Sequence, residues 1–131
     1  MRAEQIVSAK IDAAFSLMTH PDKQWIEARP YLFERIPAQE AALYMPAFML
    51  YILETMRDDP GSLVYMGVLY ALNDYSKYKG DGDEVLGFWT LLSIKQKDAV
   101  MAFLQHLLHN QPASIDGHTL EKIIARWQRA D

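Results

Sequence analysis

Hydrophobic and polar positions alternate along this chain with the period of helices. From Ala3 to Met18, Ile6, Ile11, Ala14, Phe15 and Met18 fall on one broad face, while Glu4, Lys10 and Asp12 turn away from it, which predicts an amphipathic first helix. His20-Pro21-Asp22 ends that pattern. Asp22 is placed to cap a shorter element through Trp25, Ile26 and Leu32, which Pro30 breaks or kinks because the residue before a proline avoids the helical region; Pro37 closes the segment. The chain is then uncharged from Ala41 to Leu53. Pro46 suits the first turn of a helix, where its missing N–H costs nothing, so a central helix is expected to start near Met45 and Pro46 and to be covered on nearly every side. Glu54, Arg57, Asp58 and Asp59 bring it to the surface, and Pro60-Gly61 ends it.

Ser62 can cap the next segment, Leu63 to Asn73, whose length favours a second buried helix over a strand, and Gly67 within it would let another backbone come close. Tyr75 to Glu84 reads as a polar loop with two glycines. Ser93-Ile94-Lys95-Gln96 is a capping box: the Ser93 hydroxyl accepts from the Gln96 N–H, and the Gln96 side chain reaches back. Behind it Ala99, Val100, Phe103, Leu104, Leu107 and Leu108 form an apolar stripe opposite Lys97, Asp98, Gln105 and His109. Thr119 is expected to cap a last helix that docks Leu120, Ile123, Ile124 and Trp127 on the core. The pattern predicts an all-α, compact single-domain bundle of five to seven helices spanning residues 1–131, a length that can bury a real core.

Two of these segments carry a resemblance. Leu43 to Leu53 (LYMPAFMLYIL), followed by Phe88 to Leu107 (FWTLLSIKQKDAVMAFLQHL), resembles the bacterial family of unknown function DUF6714, with similarity extending over roughly Ile11 to Leu107. The matching features are a helix start of tyrosine, apolar residue, Pro-Ala and aromatic, and a later entry of leucine, small polar residue, Gln and a basic residue. The resemblance implies a shared fold and supplies no catalytic residues.

Charge and composition narrow the function. With 13 basic and 17 acidic residues the net charge is −4, and no clustered basic face is visible, so nucleic acid is not an expected partner. The apolar runs fall short of the roughly 20 residues of a membrane-spanning helix, and MRAEQIVSAKIDAAF lacks the apolar block of a signal peptide, so a cytoplasmic protein without a membrane role is expected. There is no cysteine, which removes disulfides, thiolate metal sites and cysteine nucleophiles, and fits a reducing compartment.

Candidate chemistry is sparse. His106 and His109 have a helical spacing that can ligate a metal, but no third ligand stands nearby, and His20 and His118 are remote in sequence. Asp81, Gly82 and Asp83 resemble the start of a calcium loop whose later oxygen ligands are missing. No nucleophile elbow, phosphate loop or zinc-protease motif occurs. No metal, cofactor or catalytic residue is therefore assigned. The tyrosines are more suggestive, since they combine apolar area with a polar tip as interface residues do: Tyr44, Tyr51, Tyr65 and Tyr70 are expected chiefly in the core, whereas Tyr75 and Tyr78, beside the polar loop, fit core and interface equally. Together with Asp81, Asp83 and Glu84 they form the expected partner-binding surface. The corresponding function is a non-catalytic protein-binding domain, in its concrete form an immunity protein or antitoxin that occludes a basic toxin. The alternative is a small-molecule sensor or enzyme with a pocket inside the bundle.

Overall fold

Six α-helices and one 3-10 turn make up the described part of the chain, residues 3–15, 21–56, 62–77, 92–110 and 117–128 of a computed structural model. They are α1 (Ala3–Ala14), α2 (Lys23–Glu27), the 3-10 turn Leu32–Glu34, α3 (Ala38–Thr55), α4 (Leu63–Lys77), α5 (Ile94–Asn110) and α6 (Gly117–Gln128). The all-α bundle expected from the hydrophobic pattern is the architecture found.

Local chemistry sets several of the helix starts. Asp22 Oδ1 accepts from the Trp25 N–H at 2.8 Å, and Ser62 Oγ accepts from the Tyr65 N–H at 3.1 Å. At α5 the capping box is complete: Gln96 N donates to Ser93 Oγ at 3.2 Å, and Ser93 N donates to Gln96 Oε1 at 2.9 Å. Thr119 is a different case. The last helix begins two residues earlier, at Gly117, so Thr119 sits inside the first turn and not at the cap.

The central helix also starts earlier than the sequence suggests. Pro37 stands at the N-cap of α3, its carbonyl accepting from Ala41 N at 3.0 Å, and Pro46 lies deep inside the helix. Pro46 has no N–H to offer the Ala42 carbonyl, and an interior proline costs a helix about 3 kcal/mol. The compensation is packing on both sides of it: Ala41 and Met45 before, Phe48 and Met49 after, are all fully buried. An unbroken α3 keeps both halves of that apolar surface in one core, which outweighs a lost hydrogen bond.

Around α3 the other helices assemble in two groups. α1 packs chiefly on α5 and also on α3, with Val7, Ile11 and Phe15 turned inward; Ile6, expected on that face, is instead exposed. α5 presents Ala99, Val100, Phe103, Leu104 and Leu107 to the core and packs on α6, whose Leu120, Ile123, Ile124 and Trp127 form the facing stripe. α6 also packs on α4, where Trp127 Nε1 donates to the Leu72 carbonyl at 3.2 Å and Arg126 Nη1 donates to Asn73 Oδ1 at 2.7 Å.

α4 meets α3, α2 and the 3-10 turn. Gly67 makes this crossing possible: a Cβ there would overlap the Pro30 carbonyl oxygen and would lie 3.0 Å from the Pro30 carbonyl carbon. The close backbone approach anticipated at Gly67 is therefore real, and its partner is the bend after α2.

Candidate functional site

The crossing at Gly67 shapes an exposed surface. Leu63, Gly67 and Tyr70 recur at i, i+4 and i+7, so they share one stripe of α4. The Tyr31 ring lies over its middle, with Cδ1 3.5 Å from where a Gly67 Cβ would be. Leu63 is 58% exposed, Tyr70 50% and Tyr31 36%. Large apolar and aromatic side chains thus face solvent on either side of the point where the bend after α2 meets α4.

Beside Tyr31 the bend encloses a pocket of about 230 Å³, lined by Ala28, Arg29, Pro30, Tyr31, Leu32 and Arg35. Arg29 is held in place from the core side. Its guanidinium carbon lies 4.3 Å from the Trp25 ring centroid, and its Nη1 donates to the Trp25 carbonyl at 3.2 Å. Trp25 in turn stacks on Tyr44 at 5.3 Å between centroids and meets Phe48 edge-on at 6.4 Å, and Phe48 meets Phe33 edge-on at 4.9 Å. A chain of aromatic contacts therefore runs from the centre of α3 to an exposed arginine.

A second concavity, of about 500 Å³, lies between α1 and α3. Glu4, Asp12 and Glu54 contribute carboxylates around Ala9, Leu50 and Leu53. Glu54 is already engaged: its Oε1 accepts from Lys23 Nζ at 2.7 Å, and that hydrogen bond, with the attraction of the carboxylate, holds the Lys23 ammonium above its ordinary pKa. Both partners are largely exposed, so the pair is a surface tether between α2 and α3 and contributes little to stability.

The residues expected to bind a partner are distributed differently. Tyr75 does not belong to a loop surface. α4 continues to Lys77, and Tyr75 lies on its inner face with 2% of its surface exposed, so its role as a contact residue is corrected to that of a core residue. Burial, reinforced by the charge of Asp74, raises the pKa of its phenol and keeps it neutral. Tyr78, Asp81, Asp83 and Glu84 lie outside the described residues. Tyr51 and Tyr65 are buried as expected and Tyr44 is half-buried, but Tyr70 faces outward.

Tyr65 is 1% exposed and its hydroxyl has no hydrogen-bond partner among the described residues. Burial pushes its pKa up to about 12. Neither Tyr65 nor Tyr75 lines either of these two concavities. Among the described residues no group of three or more histidine, aspartate or glutamate side chains could hold a metal ion, and His109 and His118 are exposed on separate helices. No helix of the described residues is long and apolar enough to cross a membrane.

Leu63, Tyr70, Tyr31, Arg29 and Arg35 were not selected by the sequence pattern. Leu63 and Tyr70 do have a helical spacing, but Val64, Val68 and Leu72 have the same kind of spacing one residue on, and nothing local says which stripe faces the core. Comparison of the chain with protein-family models, with curated proteins and with solved structures finds no match.

Proposed function

We propose that this protein is a non-catalytic protein-binding domain that engages its partner through the outer stripe of α4 and the adjoining bend after α2. The observation carrying this reading is the exposure of Leu63 and Tyr70 on the stripe of α4 that the exposed Tyr31 overlies at Gly67. Tyrosine and arginine are the residue types on which binding energy concentrates; Tyr70 stands here on a helix, and Arg29 is held against Trp25. An aromatic ring already fixed against a helix loses little entropy when a partner covers it. The finer form of the proposal is an immunity protein or antitoxin that works by occluding a toxin. Small size, net charge −4 and the lack of catalytic motifs in the sequence support it. Membership of DUF6714, carried by Leu43–Leu53 and Phe88–Leu107, is likewise a proposal.

The test is purification of the tagged chain from its own host, alongside the Leu63→Ala/Tyr70→Ala variant. The expected result is a stoichiometric protein partner that the variant loses while remaining folded. A partner retained equally by both would overturn the choice of surface. A stoichiometric small molecule without a protein would overturn the binding-domain reading in favour of a sensor or enzyme.

A further inference from the structure

We infer that the pocket beside Tyr31 receives a carboxylate from an acidic segment of the partner, with Arg29 and Arg35 as its charged receptors and the α4 stripe holding an apolar side chain next to it. This rests on the protein-binding reading of the α4 face and adds the chemistry of the bound segment.

The lining carries the argument. Arg29 and Arg35 line a volume of about 230 Å³ together with Ala28, Pro30, Tyr31 and Leu32, and among the described residues no acidic residue lines it. Neither arginine has an ion-pair partner among the described residues. The nearest acidic neighbours in sequence point elsewhere: Glu27 accepts from the Tyr51 hydroxyl at 3.1 Å, and Glu34 is not part of the lining. Arg29 has already lost much of its freedom through the Trp25 ring and the Trp25 carbonyl, so forming a further charge-assisted hydrogen bond orders it little more. A guanidinium matches a carboxylate with two parallel N–H donors, which gives direction as well as charge.

The surroundings decide between kinds of anion. An extended polyanion would meet a molecule of net charge −4 along its length, whereas one or two carboxylates need meet only the surroundings of Arg29 and Arg35. Against a phosphate backbone Leu63 and the Tyr70 ring would stay uncovered, with only the tyrosine hydroxyl able to contribute. A peptide carrying one or two carboxylates beside an apolar residue satisfies both halves of the surface. The partner is therefore acidic at this point, whatever its overall charge, in contrast to the basic partner expected from the net charge of the chain.

Selection of a random-peptide phage library on the full-length protein tests this directly. Peptides recovered on the wild type are synthesised and measured by fluorescence polarisation against wild type, Arg29→Ala/Arg35→Ala and Leu63→Ala/Tyr70→Ala. The expected peptides pair Asp or Glu with an apolar residue. Their affinity drops about tenfold or more on the arginine variant, and drops similarly on wild type when their acids become Asn or Gln. The two changes combined should weaken binding no further than either alone. Arg35→Glu alone, at an exposed position, serves if loss of Arg29 disturbs the Trp25 contact. Peptides lacking acids, equal binding to the arginine variants, or no recovered binders would overturn the inference. Dependence on Leu63 and Tyr70 without dependence on the arginines would overturn it while leaving the proposed binding face intact; indifference to both variants would remove both. Displacement of the peptides by inorganic phosphate at comparable concentration would reassign the pocket to a phosphate ligand.

Discussion

Leu63 and Leu72 stand on the same helix, nine positions apart, yet Leu63 is 58% exposed and Leu72 is completely buried. The tyrosines repeat the contrast: Tyr70 faces solvent, whereas Tyr65 and Tyr75 are sealed inside. Residue type cannot explain the difference, because the two faces of α4 use the same types. The helical phase explains it: Leu72, Tyr65 and Tyr75 are turned to the core, while Leu63 and Tyr70 share another stripe, which the bend after α2 meets at Gly67, where the lack of a Cβ lets Pro30 approach. A core face and a binding face can thus be made from one vocabulary, distinguished only by what the neighbouring elements cover.

Leu72→Ala is the most damaging way to probe this contrast. It should cost about 2 to 5 kcal/mol, the range for emptying a packed leucine site, read from urea unfolding at unchanged m-value. A smaller loss, near that of a surface change, would show that the inner face of α4 is loosely packed. Gly67→Ala attacks the contact between α4 and the bend after α2. The new methyl meets backbone, which cannot rotate out of the way, so the bend after α2 must shift; a loss of about 1 to 3 kcal/mol is expected. The near-ultraviolet circular dichroism of Trp25, whose ring sits against Tyr44, should change with it. An unchanged melting curve would mean that α4 and the bend do not touch in solution.

Tyr65→Phe should act in the opposite direction. It removes a buried hydroxyl that has lost water and gained no partner, so stability should rise by about 1 kcal/mol. The same residue makes stability depend on alkaline pH. In the unfolded chain Tyr65 ionises near 10, and in the fold near about 12, so the unfolded state loses its proton first. Stability is therefore intact below pH 10 and falls as pH rises from 10 to 12, by on the order of 2 kcal/mol for this residue. Urea midpoints at pH 8 and pH 11 should converge partly in the Phe variant; an equal drop in both proteins would assign the alkaline loss to other groups.

Leu63→Ala should have the smallest effect on folding, within about 0.5 kcal/mol, because little of its side chain is taken out of water. Its consequence should appear in partner binding instead. A large loss of stability would place Leu63 in the core and erase the distinction between the faces.

The amino-acid sequence by itself determined the parts of this protein that depend on a few adjacent residues. Ser93 and Gln96 satisfy each other's backbone neighbours across one turn, and Asp22 and Ser62 do the same for single donors, so those helix starts are readable without knowing the fold. The apolar stripes of α5 and α6 were equally plain, since each has only one face greasy enough to bury. Only the tertiary structure decided that α3 runs through Pro46, because the loss of one hydrogen bond is local while the burial that outweighs it comes from Trp25, Phe33 and the other helices. The candidate site belongs to the same class. Val7 rather than Ile6 faces inward, Tyr75 rather than Tyr70 is covered, and Arg29 and Arg35 open onto one pocket because of how the bend after α2 lies on α4. Those outcomes depend on contacts between residues far apart in sequence, such as Pro30 with Gly67, and a helical period read along one segment holds no information about which of its faces a distant segment will cover.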